Sequence, residues 1–202
     1  MEAELQNKYF QFIRVITSRI DANFENQKEY IKCKEGCALC CKNGEYPCTE
    51  LEFEFLKLGI GTLDIPTREI VVNNIQKLKA EKKLCKDEKF LYECPFLINN
   101  RCCVYKYRMI ICRTFGLPYY DDKSDADGDN RIKIPFCMNR GLNYSNVLDK
   151  ETGKISNKLY EEGGYKNNPQ ASSLTLNVIK NEFGQKVMGL NFGEVKPLID
   201  WL

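Results

Sequence analysis

Histidine is absent from the 202-residue chain. That excludes His-based catalytic triads, His₂Glu and Cys₂His₂ zinc sites, H-E-x-x-H helices and haem with a histidine axial ligand. A transition-metal site would have to be built mainly from cysteine, with Asp or Glu as the minority ligand. Net charge is nearly absent too, since 30 Lys+Arg stand against 28 Asp+Glu. With no long basic run either, nothing supplies the electrostatic footprint of a nucleic-acid binder. No apolar run is long enough to span a bilayer. The opening Met1-Glu-Ala-Glu-Leu5 lacks the basic and apolar regions of a signal peptide. A soluble, cytoplasmic chain is expected, with no nucleic acid and no membrane as partner.

Cysteine is what the sequence has in excess, with eleven residues. In a reducing compartment clustered thiols bind metal more often than they form disulfides. The odd count prevents full pairing within one chain, and 202 residues can bury a core without covalent staples. Four of the thiols fall in Cys33-Lys-Glu-Gly-Cys37-Ala-Leu-Cys40-Cys41. A second group follows as Cys94-Pro-Phe-Leu, Cys102, Cys112 and Cys137. Short spacings deliver pairs of sulfurs, and folding brings the pairs together. Eight sulfurs suffice for two four-ligand sites, or for one site with bystanders. Cys48, Cys85 and Cys103 stand outside the pattern and read as small buried hydrophobes or exposed thiols.

Two local alternatives are weaker. Cys37-x-x-Cys40 has redox-dithiol spacing, but no thioredoxin-like βαβ pattern surrounds it. Cys33-x₃-Cys37-x₂-Cys40 has the spacing of radical S-adenosylmethionine enzymes. Leu39 stands where those usually carry an aromatic, a helix precedes the motif, and no repeated βα pattern follows.

The two groups together resemble the CxxCxxCC family, the YkgJ-like zinc- or iron-chelating domains. Cys33 to Cys41 carries the first motif with one extra residue in its first gap, which displaces Cys33 relative to Cys37, Cys40 and Cys41. Cys94-Pro95-Phe96-Leu97, then Cys102-Cys103-Val104-Tyr105-Lys106-Tyr107-Arg108-Met109-Ile110-Ile111-Cys112-Arg113, resembles the second motif. Val104 replaces the usual Ile and Met109 the usual Pro. The resemblance covers about 33–137. It implies metal ligands among Cys33, Cys37, Cys40, Cys41, Cys94, Cys102, Cys112 and Cys137. It also matches Arg108 and Arg113, read as groups that offset thiolate charge or hydrogen-bond sulfur. Flagellin lysine N-methylases carry a similar cysteine-rich region, associated with an iron–sulfur cluster, so the resemblance admits a methyltransferase-like enzyme. No glycine-rich Rossmann fingerprint for S-adenosylmethionine accompanies it. The expected cofactor is an iron–sulfur cluster of 4Fe-4S type with a redox or enzyme-related role. The alternative is non-catalytic zinc in Cys₄ coordination. Ligand type alone does not separate them. Beyond the metal or cluster, no protein partner is identified.

The surrounding patterns predict a mainly helical α+β domain with small β-hairpins, organised around the cysteine-ligated metal centre. One domain is expected over 1–202, with a cysteine core at about 33–137 and an extension at about 145–202. Leu5, Tyr9, Phe12, Ile13, Ile16, Ile20 and Phe24 define a long amphipathic helix. Thr49-Glu-Leu-Glu52 is a capping box opening a helix to Leu58, ended by Gly59-Ile-Gly61. A further helix is expected over Arg68 to Lys83, with Thr67 as its cap. Asn99-Asn100 predicts a hairpin turn, with Cys94 and Cys102 at the hairpin's base. Tyr107 to Arg113 is expected as one helix that places Arg108 and Cys112 on the same face. Leu117–Tyr120 and Arg131–Phe136 are expected to pair across an acidic loop. That loop holds Asp125, Asp127, Gly128 and Asp129, but an EF-hand alignment puts Lys123 first and Ile134 twelfth, so it reads as a polar turn. Turns are expected at 150–153 and 163–164 and a loop at 167–169. A helix over Leu174 to Phe183 with Gly184 as its cap, a strand at Val187 to Phe192 and a short apolar segment at Pro197 to Leu202 complete the reading.

Overall fold

A computed structural model describes residues 1–120 and 132–202. The acidic loop lies outside the described residues. The chain divides into two compact units, the first comprising residues 1–6, 35–113 and 191–202, and the second 7–34 and 114–190. The architecture is mixed: helices joined by two-stranded antiparallel ribbons. No described helix is long and apolar enough to cross a membrane.

In the first unit, strand β1 (Pro47–Thr49) feeds directly into helix α3 (Glu50–Gly61). The predicted capping box is formed: Thr49 Oγ1 accepts from the Glu52 amide at 3.2 Å, and Glu52 Oε2 accepts from the Thr49 amide at 3.0 Å. The helix runs past Leu58 through Gly59 and ends at Gly61, the second glycine of the expected stop. Gly59 is buried, and a Cβ there would sit 2.6 Å from the Tyr107 ring. Its lack of a side chain lets another segment pack against the helix. Helix α4 spans Ile65–Leu84, and its cap is Asp64, not Thr67. Asp64 Oδ1 accepts the Thr67 amide at 2.7 Å. Pro66 then falls in the first turn, where its missing N–H costs nothing.

Strands β2 (Leu97–Ile98) and β3 (Arg101–Cys102) form the expected hairpin. Asn99 and Asn100 have φ of 51° and 60°, the left-handed pair of a type I′ turn. Leu97, not Cys94, is paired with Cys102. The segment expected as one helix over Tyr107 to Arg113 is broken in two. A 3₁₀ turn covers Tyr105–Tyr107 and helix α5 covers Ile110–Thr114. Arg108 lies between them in extended backbone, so it shares no helical face with Cys112.

The apolar centre of this unit includes Cys48, Leu56, Val71, Phe96, Val104, Met109 and Leu198. Fully burying a Phe, Leu or Met contributes about 1.5–3 kcal/mol. Met109 is 4% exposed, so the side chain standing in place of the resembled family's Pro fills core. The tail completes the unit. Strand β8 (Val195–Pro197) pairs with β1, followed by helix α7 (Leu198–Trp201). The Trp201 indole donates to the Cys48 carbonyl at 2.9 Å.

The second unit begins within helix α1 (Ala3–Asn26), which buries Tyr9, Phe12, Ile13, Ile16 and Ile20 as its periodicity predicts. Its apolar centre gathers Tyr30, Leu117, Met138, Tyr144, Val147 and Leu148. The Tyr30 ring stacks on Tyr144 at 5.3 Å. Burial raises the pKa of Tyr30 to about 12 and raises that of Tyr144. Asn143, 1% exposed, accepts the Lys32 and Cys33 amides at 2.9 and 2.8 Å and donates to the Gly116 carbonyl at 3.0 Å. Strands β4 (Tyr119–Tyr120) and β5 (Ile132–Lys133) pair as expected, over two residues each. The turn at 150–153 joins a further ribbon, β6 (Leu148–Asp149) with β7 (Lys154–Ile155). Helix α6 (Asn157–Gly163) is capped by Ser156 and closed by left-handed Gly164. A wide, π-type helix over Val178–Val187 replaces the expected α-helix, and buried Gly184 lies within it instead of capping it. The strand expected at Val187 to Phe192 is not formed. The chain turns there and becomes extended only at β8.

Candidate metal centre

Among the eight expected ligands, six lie in the first unit: Cys37, Cys40, Cys41, Cys94, Cys102 and Cys112. Cys33 and Cys137 lie in the second unit, the first exposed and the other buried. No disulfide joins any cysteine.

Gly36, with φ of 85°, turns the chain ahead of Cys37. Helix α2 (Leu39–Lys42) is a single turn that carries Cys40 and Cys41. Their sulfurs are 4.0 Å apart. The Tyr46 hydroxyl donates to the Cys40 carbonyl at 2.8 Å, which holds this turn against the chain that leaves it. The amide of Cys94 donates to the Cys41 carbonyl at 2.7 Å. One backbone bond thus links the two halves of the sequence pattern.

Cys94-Pro-Phe-Leu is fixed by its own core residue. Phe96 is 2% exposed, and the Asn74 side chain donates to the Pro95 carbonyl at 3.1 Å. The Phe96 amide also hydrogen-bonds the Cys94 thiol, and the Val104 amide that of Cys102. Amides two residues past a cysteine and aimed at its sulfur are partners that favour thiolate. The Cys103 amide bonds the Phe96 carbonyl at 2.9 Å, so the Cys94 loop and the hairpin share an anchor.

Cys112 interacts with Cys102 and with Cys40, and Cys94 interacts with Cys112, Cys102 and Cys103. Burial is the main cause that raises the Cys94 pKa. The Cys40 thiol is raised chiefly by its hydrogen bond with Cys41 and then by burial. Cys112 is raised to about 12 by its protein surroundings, then by Cys102 and Cys40. By surface area Cys112 is exposed. Solvent reaches the residue, while the protein groups packed around it raise the thiol. Cys102 and Cys103 are raised by burial first. Deprotonating neighbouring thiols without a cation is thus unfavourable, and a metal ion would replace those protons.

The two arginines have distinct tasks. Arg108 stacks over the Tyr105 ring at 3.6 Å and donates to the Tyr105 carbonyl at 2.9 Å. Its charge lowers the pKa of both Cys102 and Cys112, against their net upward shifts. Arg113 is buried, donating to the Arg108 and Lys106 carbonyls at 3.2 and 2.7 Å. It clips the loop between the 3₁₀ turn and α5, and its charge also reaches Cys102.

As they stand, no three Cys, Asp or Glu side chains among the described residues are close enough to hold a metal ion. Loading one would therefore require sulfurs to move inward. Two residues outside the expected ligand set touch these segments. Cys103, outside the spacing pattern, anchors the hairpin through its amide and adds to the upward shift of Cys94. Glu52 was read only as a helix cap, yet its Oε1 accepts the Ile110 amide at 2.9 Å and its charge reaches Cys112. No family model, curated protein or solved structure matches the chain.

Proposed function

We propose that the first unit binds metal through thiolates, as a 4Fe-4S cluster, with Cys40, Cys94, Cys102 and Cys112 as its ligands. The observation that carries this reading is that the cysteine-bearing segments are anchored to one another within one unit: the Cys94 amide bonds the Cys41 carbonyl at 2.7 Å, and the Cys103 amide bonds the Phe96 carbonyl at 2.9 Å. Those sulfurs come from α2, the loop ahead of β2, β3 and α5, and soft thiolate donors suit an iron–sulfur cluster. The resemblance to the CxxCxxCC domains supports the same residues. Cys41 and Cys103 lie beside the set, and Cys37 precedes it. A cluster bound there would supply one-electron transfer. The protein's own part is to hold the sulfurs, offset their charge through Arg108 and aim the Phe96 and Val104 amides at two of them. In this reading the protein has a redox or enzyme-related role.

Zinc is the second reading, favoured by one distance. Tetrahedral zinc with bonds near 2.3 Å needs sulfurs roughly 3.8 Å apart. The Cys40–Cys41 separation of 4.0 Å is close to that. The methyltransferase-like reading draws no support from the described sheets, which are two-stranded ribbons.

Anaerobic purification followed by metal analysis, acid-labile sulfide assay and a visible spectrum tests these readings. A brown protein containing iron and sulfide supports the cluster. A colourless protein with stoichiometric zinc refutes it and leaves the thiolate site. A protein that takes up neither metal after anaerobic reconstitution refutes both. Cys40→Ser or Cys112→Ser should lose most of the metal, whereas Cys85→Ser should retain it.

A further inference from the structure

Glu52 is the only buried carboxylate among the described residues, 1% exposed. An isolated buried carboxylate is costly unless hydrogen bonds compensate it. Here Oε2 accepts the Thr49 amide at 3.0 Å and the Thr49 hydroxyl at 2.8 Å, while Oε1 accepts the Ile110 amide at 2.9 Å. A cap for its own helix needs only the first of these bonds. The last reaches 58 residues along the chain to the first residue of α5, the helix that carries Cys112.

Other residues on the same face of α3 act on the same segment. Phe55 packs on the Tyr107 ring at 5.1 Å, and Gly59 leaves the space that ring occupies. Positions 52, 55 and 59 are three and four apart, so they line one stripe of the helix. Two of these contacts are apolar and non-directional. Of these three contacts the Glu52 carboxylate makes the directional one, at the start of α5, two residues before Cys112.

We propose that Glu52 is a positioning residue for the Cys112 sulfur, holding α5 on α3 through the Ile110 amide. This rests on the reading of Cys112 as a metal ligand. Removing the carboxylate frees the start of α5, and the Cys112 sulfur loses its fixed place relative to Cys94 and Cys102. Groups that orient ligands typically change metal affinity by about 10–100-fold when lost.

The test compares Glu52→Ala with Thr49→Ala, using Co²⁺ as a spectroscopic probe of the whole chain. Thr49→Ala removes the hydroxyl from the cap and leaves the Ile110 bond, so it controls for lost helix stability. Glu52→Ala is expected to weaken Co²⁺ binding at least tenfold and to cut the sulfur-to-cobalt charge-transfer absorption by about a quarter, one sulfur in four. Thr49→Ala should lower the melting temperature and leave both cobalt readouts unchanged. Equal cobalt behaviour in the two variants overturns the proposal. Hydrogen exchange of the metal-free protein gives a separate readout: protection over residues 110–114 should fall in Glu52→Ala and persist in Thr49→Ala. Unchanged protection in Glu52→Ala overturns the positioning role even if metal binds. A wild-type protein that binds no cobalt overturns the zinc-type site at these cysteines, and exchange still decides whether Glu52 holds α5. Should Glu52→Ala fail to fold, Glu52→Gln offers one carbonyl oxygen to three donors and should show the same pattern at smaller amplitude.

Discussion

Replacing Gly59 by alanine should destabilise the protein, against the ordinary preference of helices. An interior helical glycine is worse than alanine by about 1 kcal/mol, so Gly→Ala normally stabilises. At position 59 the new Cβ would lie 2.6 Å from Cγ of the Tyr107 ring and 2.7 Å from that residue's Cβ. Carbon atoms pack best at roughly 3.5–4.0 Å, so the approach is about 1 Å too close. The obstruction is the root of the tyrosine, not a flexible tip, and cannot swing aside by a change of rotamer. Overpacking of this kind costs about 1–3 kcal/mol. The net expectation is a loss of about 0–2 kcal/mol, or a fall of several degrees in melting temperature at about 2–4 °C per kcal/mol.

Gly61 supplies the internal control, two residues away in the same helix. A Cβ there meets nothing within 4 Å. Gly61→Ala should therefore gain up to about 1 kcal/mol, less near the helix end. Thermal unfolding followed by circular dichroism reads both variants, and near-ultraviolet signals report displacement of Tyr107. Because the variants sit in one unit, their ranking survives even if the two units unfold separately. Gly59→Ala equal to or more stable than Gly61→Ala would refute the close packing of the Tyr105–Tyr107 turn on α3.

Three further outcomes are expected. Asp64→Ala should cost about 1 kcal/mol as the loss of an N-cap, and Thr67→Ala should cost much less in the same denaturation assay; the reverse order would restore Thr67 as the cap. Asn143→Ala should cost about 1–3 kcal/mol in the second unit, because it strands the buried Gly116 carbonyl and removes the acceptor shared by the Lys32 and Cys33 amides; a change below about 0.5 kcal/mol would rule out that bridging role. The metal-free protein should lose stability as pH rises. An unfolded thiol titrates near 8.5, whereas Cys112 in the fold is held up to about 12. Between those values the unfolded chain binds fewer protons than the folded one, so stability is full below about 8.5 and declines above it. Urea midpoints that stay flat from pH 8 to 11 would contradict the upward shifts.

The helices were legible where a local pattern determines them. The stripe from Tyr9 to Ile20 and the capping box at Thr49 carry their own periodicity and chemistry, and both are formed as expected. Errors arose where tertiary packing outweighed a local signal. Gly59 resembles a stop, but a segment 48 residues later needs its empty space. Thr67 resembles a cap, but Asp64 sits at the right offset from Pro66 and takes the Thr67 amide. The run from Tyr107 to Arg113 has helical content, yet extended Arg108 and the Glu52 bond to Ile110 divide it.

The sulfurs follow the same division between local and distant causes. Spacing groups Cys33, Cys37, Cys40, Cys41, Cys94, Cys102, Cys112 and Cys137, because short gaps are typical of ligand pairs, yet Cys33 and Cys137 fall in the second unit. Spacing could not order them, since the order depends on where separate segments dock. That docking is set by groups outside the motif: the Cys41 carbonyl on the Cys94 amide, Asn74 on Pro95 and Glu52 on Ile110. These are hydrogen bonds between a cysteine-bearing segment and a distant partner, and only Phe96 beside Cys94 advertises its anchoring role through apolarity. A search by cysteine spacing therefore finds the sulfurs and misses what holds their segments in place. In this chain those groups are a buried carboxylate, a side-chain amide and a backbone carbonyl, which a spacing pattern treats as filler.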